Sequence, residues 1–390
     1  MLRLVDEINT SATKKKSFPR SGWPTIQELL HFRRQESSSE FNEGPVTYGR
    51  LSAIYDQSLK TFPSHFAVFN ELRVYNHPSC GGKSMRADVK LQAGVLLGLL
   101  LAASVAALSQ AKSGSSAIES RFGEIDGIKI HYLTAGHGPA VILLHGYTQT
   151  SRMWEPLIPK LTDKFTVVAP DLPGIGDSDI PKDGLDMKTA AIRIHALAKS
   201  LGIRKARVVG HDIGLMVAYA YAAQFPSEVE KLVVMDAFLP GVPGWELAYD
   251  SPNFWHFRFH GPTPEALVQG REKTYFAYFW NDLAADGTRS LSEADRASYV
   301  AAYSRPGRMR AGWAYFTSWP DTAKDFAQMA QTQLTMPVLS IAGEKASAAI
   351  LGPQMKRVAT DVKVIELKGS GHWLMEERPQ ETMDALVEFF

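Results

Sequence analysis

Short apolar runs alternate with longer amphipathic stretches over most of the chain. Runs of four to eight apolar residues bounded by Gly, Pro or Asp are typical of buried strands, whereas apolar positions three or four apart are typical of helices. The predicted strands are Gly127–Thr134, Ala140–His145, Phe165–Ala169, Ala206–Gly210, Leu232–Asp236, Pro337–Ala342 and Val362–Leu367. The predicted helices are Trp154–Leu161, Met187–Leu201, Leu215–Phe225, Gly352–Thr360 and Gln380–Phe389.

This alternation predicts an α/β fold in which helices cover both faces of a mostly parallel sheet. The first two predicted strands are too close in sequence for a crossover helix, so we expect a hairpin and a mixed sheet. The alternation stops at residues 238–325, which are rich in Trp, Tyr, Phe and His and include the helical patterns Pro264–Trp280 and Ser292–Tyr303. We predict that this insertion is a helical cap above the carboxyl ends of the strands, where open α/β sheets bind ligands.

The apolar stretch 91–108 precedes the globular part. It follows Met85, Arg86 and Lys90, and small residues continue to Ala111. A charged start, an apolar middle and a small-residue end are typical of a secretory signal peptide, so we predict that 85–111 directs export to the periplasm or medium. An uncleaved membrane anchor is the alternative, because eighteen helical residues span about 27 Å.

Residues 1–84 show no sustained periodicity, so we predict that they are disordered or a non-native upstream extension. Residues 112–390 then form one domain with its cap. The one cysteine, Cys80, lies upstream of Met85, so the exported chain would contain no thiol.

The formal net charge of +1 over 390 residues gives no basic surface of the kind that binds nucleic acid. The histidines are scattered along the chain, and it has no cysteine pair and no phosphate-binding glycine loop, so we expect no metal and no cofactor. The expected partners are a small-molecule substrate and water, without stable membrane association after processing. A homodimer and a monomer are both open.

The segment Gly210-His211-Asp212-Ile213-Gly214 lies between a predicted strand and a predicted helix. Small residues two places either side of a central residue are typical of a sharp elbow that presents the central side chain above the sheet. A carboxylate there can displace a leaving group from saturated carbon and form an ester. Asp212 is the predicted nucleophile, and a simple helix N-cap is the alternative.

Cleavage of such an ester requires a general base and a group that orients it. His372 lies in a glycine-framed loop after the last predicted strand and is the predicted base. Asp236 ends the strand that follows the nucleophile helix and is the predicted orienting acid, with Glu344 as its rival. The backbone N–H groups of Ile213 and Tyr147 are predicted to form an oxyanion hole for the ester carbonyl.

From about Arg121 to Phe390 the chain resembles α/β-hydrolases of the epoxide hydrolase and dehalogenase branch. The resemblance rests on His145-Gly146-Tyr147-Thr148-Gln149-Thr150, Ala169-Pro170-Asp171-Leu172-Pro173-Gly174-Ile175-Gly176, His211-Asp212-Ile213-Gly214, Trp255-His256-Phe257 and Gly371-His372-Trp373-Leu374. It implies the α/β-hydrolase fold with an inserted helical cap. It also implies an exported epoxide hydrolase that converts a small, mainly apolar epoxide into a vicinal diol through an aspartyl ester.

Acids above the nucleophile, which protonate the ring oxygen, are also implied by the resemblance. His256 matches the histidine donor, whereas an ungapped alignment places Phe316 at the tyrosine donor position and Tyr315 one place earlier. One residue rotates a helical side chain by about 100°, so Tyr315 requires a local shift to serve as the second acid. Tyr303 and His260 are alternative helpers.

Two alternative functions are a haloacetate or haloalkane dehalogenase and a non-enzymatic secreted interaction protein. Dehalogenases that resemble this branch carry Trp directly after the nucleophile, or Arg there and again three residues later. This chain has Ile213 and Met216 at those positions. It also departs from the epoxide hydrolase pattern at Thr148, where a proline is frequent.

Overall fold

The computed structural model describes residues 117–285 and 290–390. The predicted extension 1–84, the signal-like segment 85–111 and the alternative anchor 91–108 lie outside these residues. Within the described part, no helix is long and apolar enough to cross a membrane.

One mixed sheet forms the centre of the described chain. Its strands lie in the order β1-β2-β4-β3-β5-β6-β7-β8, and the pairs from β4 to β8 are parallel. The strands are β1 Glu119–Ile125, β2 Ile128–Gly136, β3 Ala140–Leu144, β4 Thr166–Pro170, β5 Ala206–His211, β6 Val229–Met235, β7 Val338–Gly343 and β8 Val362–Leu367. The predicted mostly parallel mixed sheet is confirmed.

The predicted hairpin pairs the wrong strands. Strand β2 pairs antiparallel with β1 and with β4, while β3 pairs with β4 and β5. No apolar run predicts β1, because it is an edge strand whose residues are mostly exposed. The antiparallel hairpin is therefore β1–β2.

Helices cover both faces of the sheet. They are α1 Ile158–Leu161, α2 Met187–Ser200, α3 Ile213–Gln224, α4 Glu246–Tyr249, α5 Pro262–Val268, α6 Glu272–Asp282, α7 Glu293–Tyr303, α8 Arg308–Thr317, α9 Trp319–Met329, α10 Ala348–Val358, α11 Leu374–Glu377 and α12 Pro379–Phe389. Alternate residues of a strand point to opposite faces. Accordingly, Ile142 and Val208 pack in the cluster that contains α2 and α3, whereas Val141 and Val209 pack in the cluster that contains α1 and α12.

Six helices, α4 to α9, lie between β6 and β7 in the described chain and form the predicted insertion, which we call the cap. The predicted helix Pro264–Trp280 is split into α5 and α6 at Gly270, whose φ is 73°. Backbone atoms attach the cap to the loop after β8: His372 N–H donates to Leu283 O at 2.9 Å, and Trp373 Nε1–H donates to Phe279 O at 3.0 Å.

Gly214 lets helix α3 approach the end of β3. A Cβ atom at this position would lie 2.5 Å from the carbonyl oxygens of Leu144 and His145. We predict that Gly214→Ala lowers the free energy of unfolding by about 1–3 kcal/mol, because backbone must move to relieve the overlap. Urea unfolding measures this change.

The matched control is Gly352→Ala in helix α10. A Cβ there would meet the Val364 side chain at 3.0 Å, and Val364 is partly exposed and can shift. We expect this variant to be neutral or stabilising by up to about 1 kcal/mol, the helix propensity gain of Ala over Gly. Equal effects of the two substitutions would contradict the assigned close approach.

Candidate active site

Asp212 stands at a strained turn between β5 and α3. Its backbone φ is 54° and ψ is −122°, a region that non-glycine residues rarely occupy. Gly210 permits this turn, because a Cβ there would overlap the backbone of Gly214. The predicted elbow is therefore present in the described chain, and Asp212 lines the cavity beneath the cap.

Two backbone N–H groups donate to the Asp212 carboxylate. Tyr147 N–H donates to Oδ1 at 2.8 Å, and Ile213 N–H also donates to this carboxylate. Burial raises the pKa of Asp212 above its ordinary value, while nearby His372 and these two donors oppose the rise. The structure thus brings the two predicted oxyanion-hole residues to the predicted nucleophile.

His372 lies between two carboxylates. Its Nδ1 is 2.7 Å from Asp236 Oδ2, and its Nε2 is 3.7 Å from Asp212 Oδ2. Burial lowers the pKa of His372, but the hydrogen bond to Asp236 and the charges of Asp236 and Asp212 outweigh it, so the pKa is raised. The longer separation exceeds a hydrogen bond.

Asp236, rather than Glu344, forms a hydrogen bond with the histidine. The Asp236 carboxylate is buried, and its Oδ1 accepts hydrogen bonds from Gly343 N–H at 2.9 Å and from the Ser347 hydroxyl at 2.8 Å. Glu344 is exposed and accepts from Gly369 N–H at 2.8 Å. Ser347 was missed by the sequence reasoning, because no local motif connects it to Asp236.

A cavity of about 630 Å³ lies above Asp212, Asp236 and His372. Its lining includes Asp212, His256 and His372, together with apolar side chains of the cap and the core. The main apolar residues are Met216, Phe238, Phe254, Phe257, Phe279, Phe316 and Trp319. Such a site accepts a mainly apolar molecule and orients it through few polar groups.

His256 belongs to the cap, and its imidazole lines this cavity. It is buried among aromatic rings, with ring centroids 4.8 Å from Phe279 and 5.8 Å from Phe316. Burial, with a smaller contribution from His372, lowers the pKa of His256 to about 3. Its Nδ1 is buried and has no hydrogen-bond partner among the described residues. His256 is therefore neutral near pH 7.

The structure does not bring Tyr315 to the cavity, which corrects its predicted role as the second acid. Helix α8 turns its neighbour Phe316 to the cavity instead, and the buried Tyr315 hydroxyl donates to Pro173 O at 2.9 Å. The alternative helpers are also displaced: the Tyr303 hydroxyl donates to Gln149 O at 3.3 Å, and His260 is exposed.

The backbone conformation explains why Thr148 stands where a proline is frequent. Thr148 has a φ of 63°, which proline cannot adopt because its ring fixes φ near −65°. The Thr148 hydroxyl oxygen accepts a hydrogen bond from Trp280 Nε1–H of the cap at 3.0 Å. This loop therefore differs locally from one that contains a proline, yet it still places Tyr147 N–H on Asp212.

His131, Asp171 and Asp177 form the group of potential metal ligands in the described chain. Their atoms already have protein partners. His131 Nδ1 is 2.8 Å from Asp171 Oδ2, and Asp177 Oδ1 is 2.7 Å from Arg305 Nη1. These contacts connect β2 to the loop after β4 and favour a structural role.

Comparison with known proteins agrees with this fold. The model of the alpha/beta hydrolase fold family matches residues 139–379. The chain belongs to this family. It is 35% identical over 275 residues to the soluble epoxide hydrolase of Corynebacterium sp. (strain C12), covering 68% of this chain and 95% of the relative.

Two further proteins are similar to this chain. The fluoroacetate dehalogenase of Burkholderia sp. is 30% identical over 181 residues, covering 43% of this chain and 60% of the relative. The solved structure of the Cif epoxide hydrolase from Acinetobacter nosocomialis matches with a TM-score of 0.63 and 25% identity, covering 70% of this chain and 89% of that chain. The chain is a hydrolase of the epoxide hydrolase and dehalogenase branch.

The placement of Tyr315 predicts a structural role. We expect Tyr315→Phe to lower the free energy of unfolding by about 1–3 kcal/mol, because the buried Pro173 carbonyl loses its donor. Hydrolytic turnover should stay within about twofold of the native enzyme, a change of well under 1 kcal/mol in the activation barrier. Urea unfolding and turnover assays measure the two effects, and a large loss of turnover at unchanged stability would contradict this role.

Proposed function

We propose that this hydrolase opens small, mainly apolar epoxides to vicinal diols through a covalent ester on Asp212. One observation carries the proposal: Asp212 stands at the elbow, held by two backbone N–H groups, at the floor of an apolar cavity that also contains His256 and His372. A nucleophile and a hydrogen-bond donor facing one cavity suit the opening of a strained ring.

In the first step, Asp212 Oδ2 attacks the less hindered ring carbon and the carbon–oxygen bond of the epoxide breaks. Oδ1 is occupied by Tyr147 N–H, and no hydrogen bond joins Oδ2 to His372 at 3.7 Å. The electron pair of the broken bond passes to the ring oxygen, which becomes an alkoxide. This alkoxide takes up a proton that enters from solvent, and the product of the step is a hydroxyalkyl ester of Asp212.

His256 supports the departure of the ring oxygen. Because its pKa is about 3, it acts as a neutral imidazole that donates a hydrogen bond to the developing alkoxide. The apolar rings around it exclude water and strengthen this interaction. Phe316, at the position of the expected tyrosine, offers no donor, so His256 is the ring-oxygen donor that this proposal requires.

In the second step, His372 removes a proton from water and the resulting hydroxide attacks Cγ of the Asp212 ester. Tyr147 and Ile213 N–H groups stabilise the negative oxygen of the tetrahedral intermediate. Asp236 stabilises the imidazolium that forms. As the Cγ–Oδ2 bond breaks, the imidazolium proton passes to Oδ2 and the diol is released. The proton left on the Asp212 carboxyl group returns to solvent, so that one water molecule is consumed for each epoxide.

Dehalogenation through the same ester is the second candidate, and the similarity to fluoroacetate dehalogenase favours testing it. A haloacetate carboxylate requires cationic partners near the nucleophile. Ile213 and Met216 are buried apolar side chains beside Asp212 and provide none. Epoxide opening therefore agrees better with the side chains that follow Asp212.

The ester intermediate is testable by trapping. We predict that His372→Gln, incubated with styrene oxide, accumulates protein with the mass of one substrate added on the Asp212 peptide, because the base for hydrolysis is removed. Peptide mass spectrometry detects the adduct, and diol analysis measures turnover. The exposed His137→Gln is the matched control and should form diol without accumulating the adduct.

Parallel incubation with chloroacetate and fluoroacetate measures halide release. Halide without diol would support the dehalogenase. Diol formation by native protein without an adduct in His372→Gln would contradict the two-step mechanism.

We also propose export, supported by the charged, apolar and small-residue order of residues 85–111. Expressed from Met85 in a Gram-negative host, the protein should be found in the periplasm or medium with an N-terminus near residue 112. Replacement of Leu96 and Leu99 by Arg should retain it in the cytoplasm, because it interrupts the apolar segment. Cell fractionation and N-terminal sequencing test this; an intact 91–108 in the membrane fraction would favour an anchor.

A further inference from the structure

A buried amide and a carboxyl group meet beside the active site. Gln149 Nε2–H donates to Glu376 Oε1 at 2.7 Å, and Gln149 is fully buried. The other oxygen of each group, Gln149 Oε1 and Glu376 Oε2, is also buried and has no hydrogen-bond partner among the described residues. Both are acceptors when Glu376 is ionised, so neither can satisfy the other.

One proton on Glu376 would give both of these oxygens a hydrogen-bond partner. A carboxylic acid has an O–H donor as well as a carbonyl acceptor, so it can form two parallel hydrogen bonds with a primary amide. We propose that Glu376 is a protonated carboxylic acid in the working enzyme and that its cyclic pair with Gln149 positions the two loops that flank Asp212. In this pair Glu376 Oε2–H donates to Gln149 Oε1.

The positions of the two residues connect this pair to the reaction. Gln149 belongs to the loop that carries Tyr147, whose N–H holds Asp212, and Gln149 N–H donates to Gly146 O at 3.3 Å. Glu376 lies in α11, directly after His372, and its N–H donates to Trp373 O at 3.0 Å. The pair therefore connects the oxyanion loop to the loop of the base, and both are positioning residues.

The surroundings of Glu376 favour its neutral form. The charged or titratable groups around it are Asp295 and Tyr299 of α7, His372 and Glu377 of the loop and helix after β8, and, near Tyr299, Arg152 and Glu155. Burial is the largest effect, and Asp295 and Glu377 add to it, whereas the backbone N–H of Glu376 and the charge of His372 oppose it. Together they raise the pKa of Glu376 to about 7.

Ionisation of Glu376 would break the pair. Its folded-state pKa of about 7 lies above the ordinary value of 4.5, so the native state binds this proton more tightly than the unfolded state. The stabilisation is fully present below the ordinary pKa and is lost as pH rises through the folded-state pKa. Above that pH a buried carboxylate faces the Gln149 carbonyl oxygen, and the two loops lose their connection.

Glu376→Gln provides the test, because two primary amides form the same cyclic pair at every pH. Between about pH 5 and pH 8, the urea midpoint of the native enzyme should fall relative to that of Glu376→Gln. The exposed Glu381→Gln removes the same charge from the next helix and should follow the native enzyme. Isotope-edited infrared spectra at about pH 6 should show a carboxylic acid band that Glu376→Gln lacks.

The kinetic test depends on the proposed epoxide hydrolysis. We expect kcat of the native enzyme to fall relative to Glu376→Gln as pH rises above about 7, with KM unchanged. Gln149→Leu should reduce kcat about 10- to 100-fold at every pH, because the loops lose alignment. A role in stability alone would change unfolding but leave the pH profile of kcat identical in Glu376→Gln and the native enzyme.

Several outcomes would overturn the proposal: an ionised Glu376 at about pH 6, equal pH dependence of unfolding in the native enzyme and Glu376→Gln, or identical pH profiles of kcat in the two. If native protein hydrolyses no epoxide, the proposed function fails, whereas the infrared band and the unfolding midpoints still decide whether the acid–amide pair exists.

Discussion

The close approach of α3 to β3 is the constraint on which the site depends. Glycine at position 214 removes the side chain that would meet the β3 carbonyls, and Asp212 takes a positive φ to complete the turn. This turn places the carboxylate where Tyr147 and Ile213 N–H groups converge. Strain in the backbone is offset by hydrogen bonds to the side chain, so the reactive group is oriented before a substrate arrives.

Burial has opposite consequences for the two histidines of the cavity. His256 has aromatic neighbours and no carboxylate partner among the described residues, so desolvation lowers its pKa to about 3. His372 is bonded to Asp236, whose charge outweighs desolvation and raises its pKa. One apolar cavity therefore holds a neutral imidazole and a second imidazole that is readily charged.

Much of this site could be predicted from sequence, because its signals are local. The glycines around Asp212 indicated the elbow, and strand ends indicated Asp236 and His372. The side-chain direction of Tyr315 depends on the rotation of α8 against Pro173, which no local pattern specifies. Likewise, β1 is an exposed edge strand without an apolar run, and Ser347 meets Asp236 only after β6 and β7 pair.

The cap is attached through its main-chain carbonyl groups. Phe279 O accepts a hydrogen bond from Trp373, and Leu283 O accepts one from His372. Side chains elsewhere in the cap can therefore be exchanged without removing these links to the loop of the base. In evolutionary terms, the wall of the cavity can diversify while the hydrolytic machinery is inherited intact.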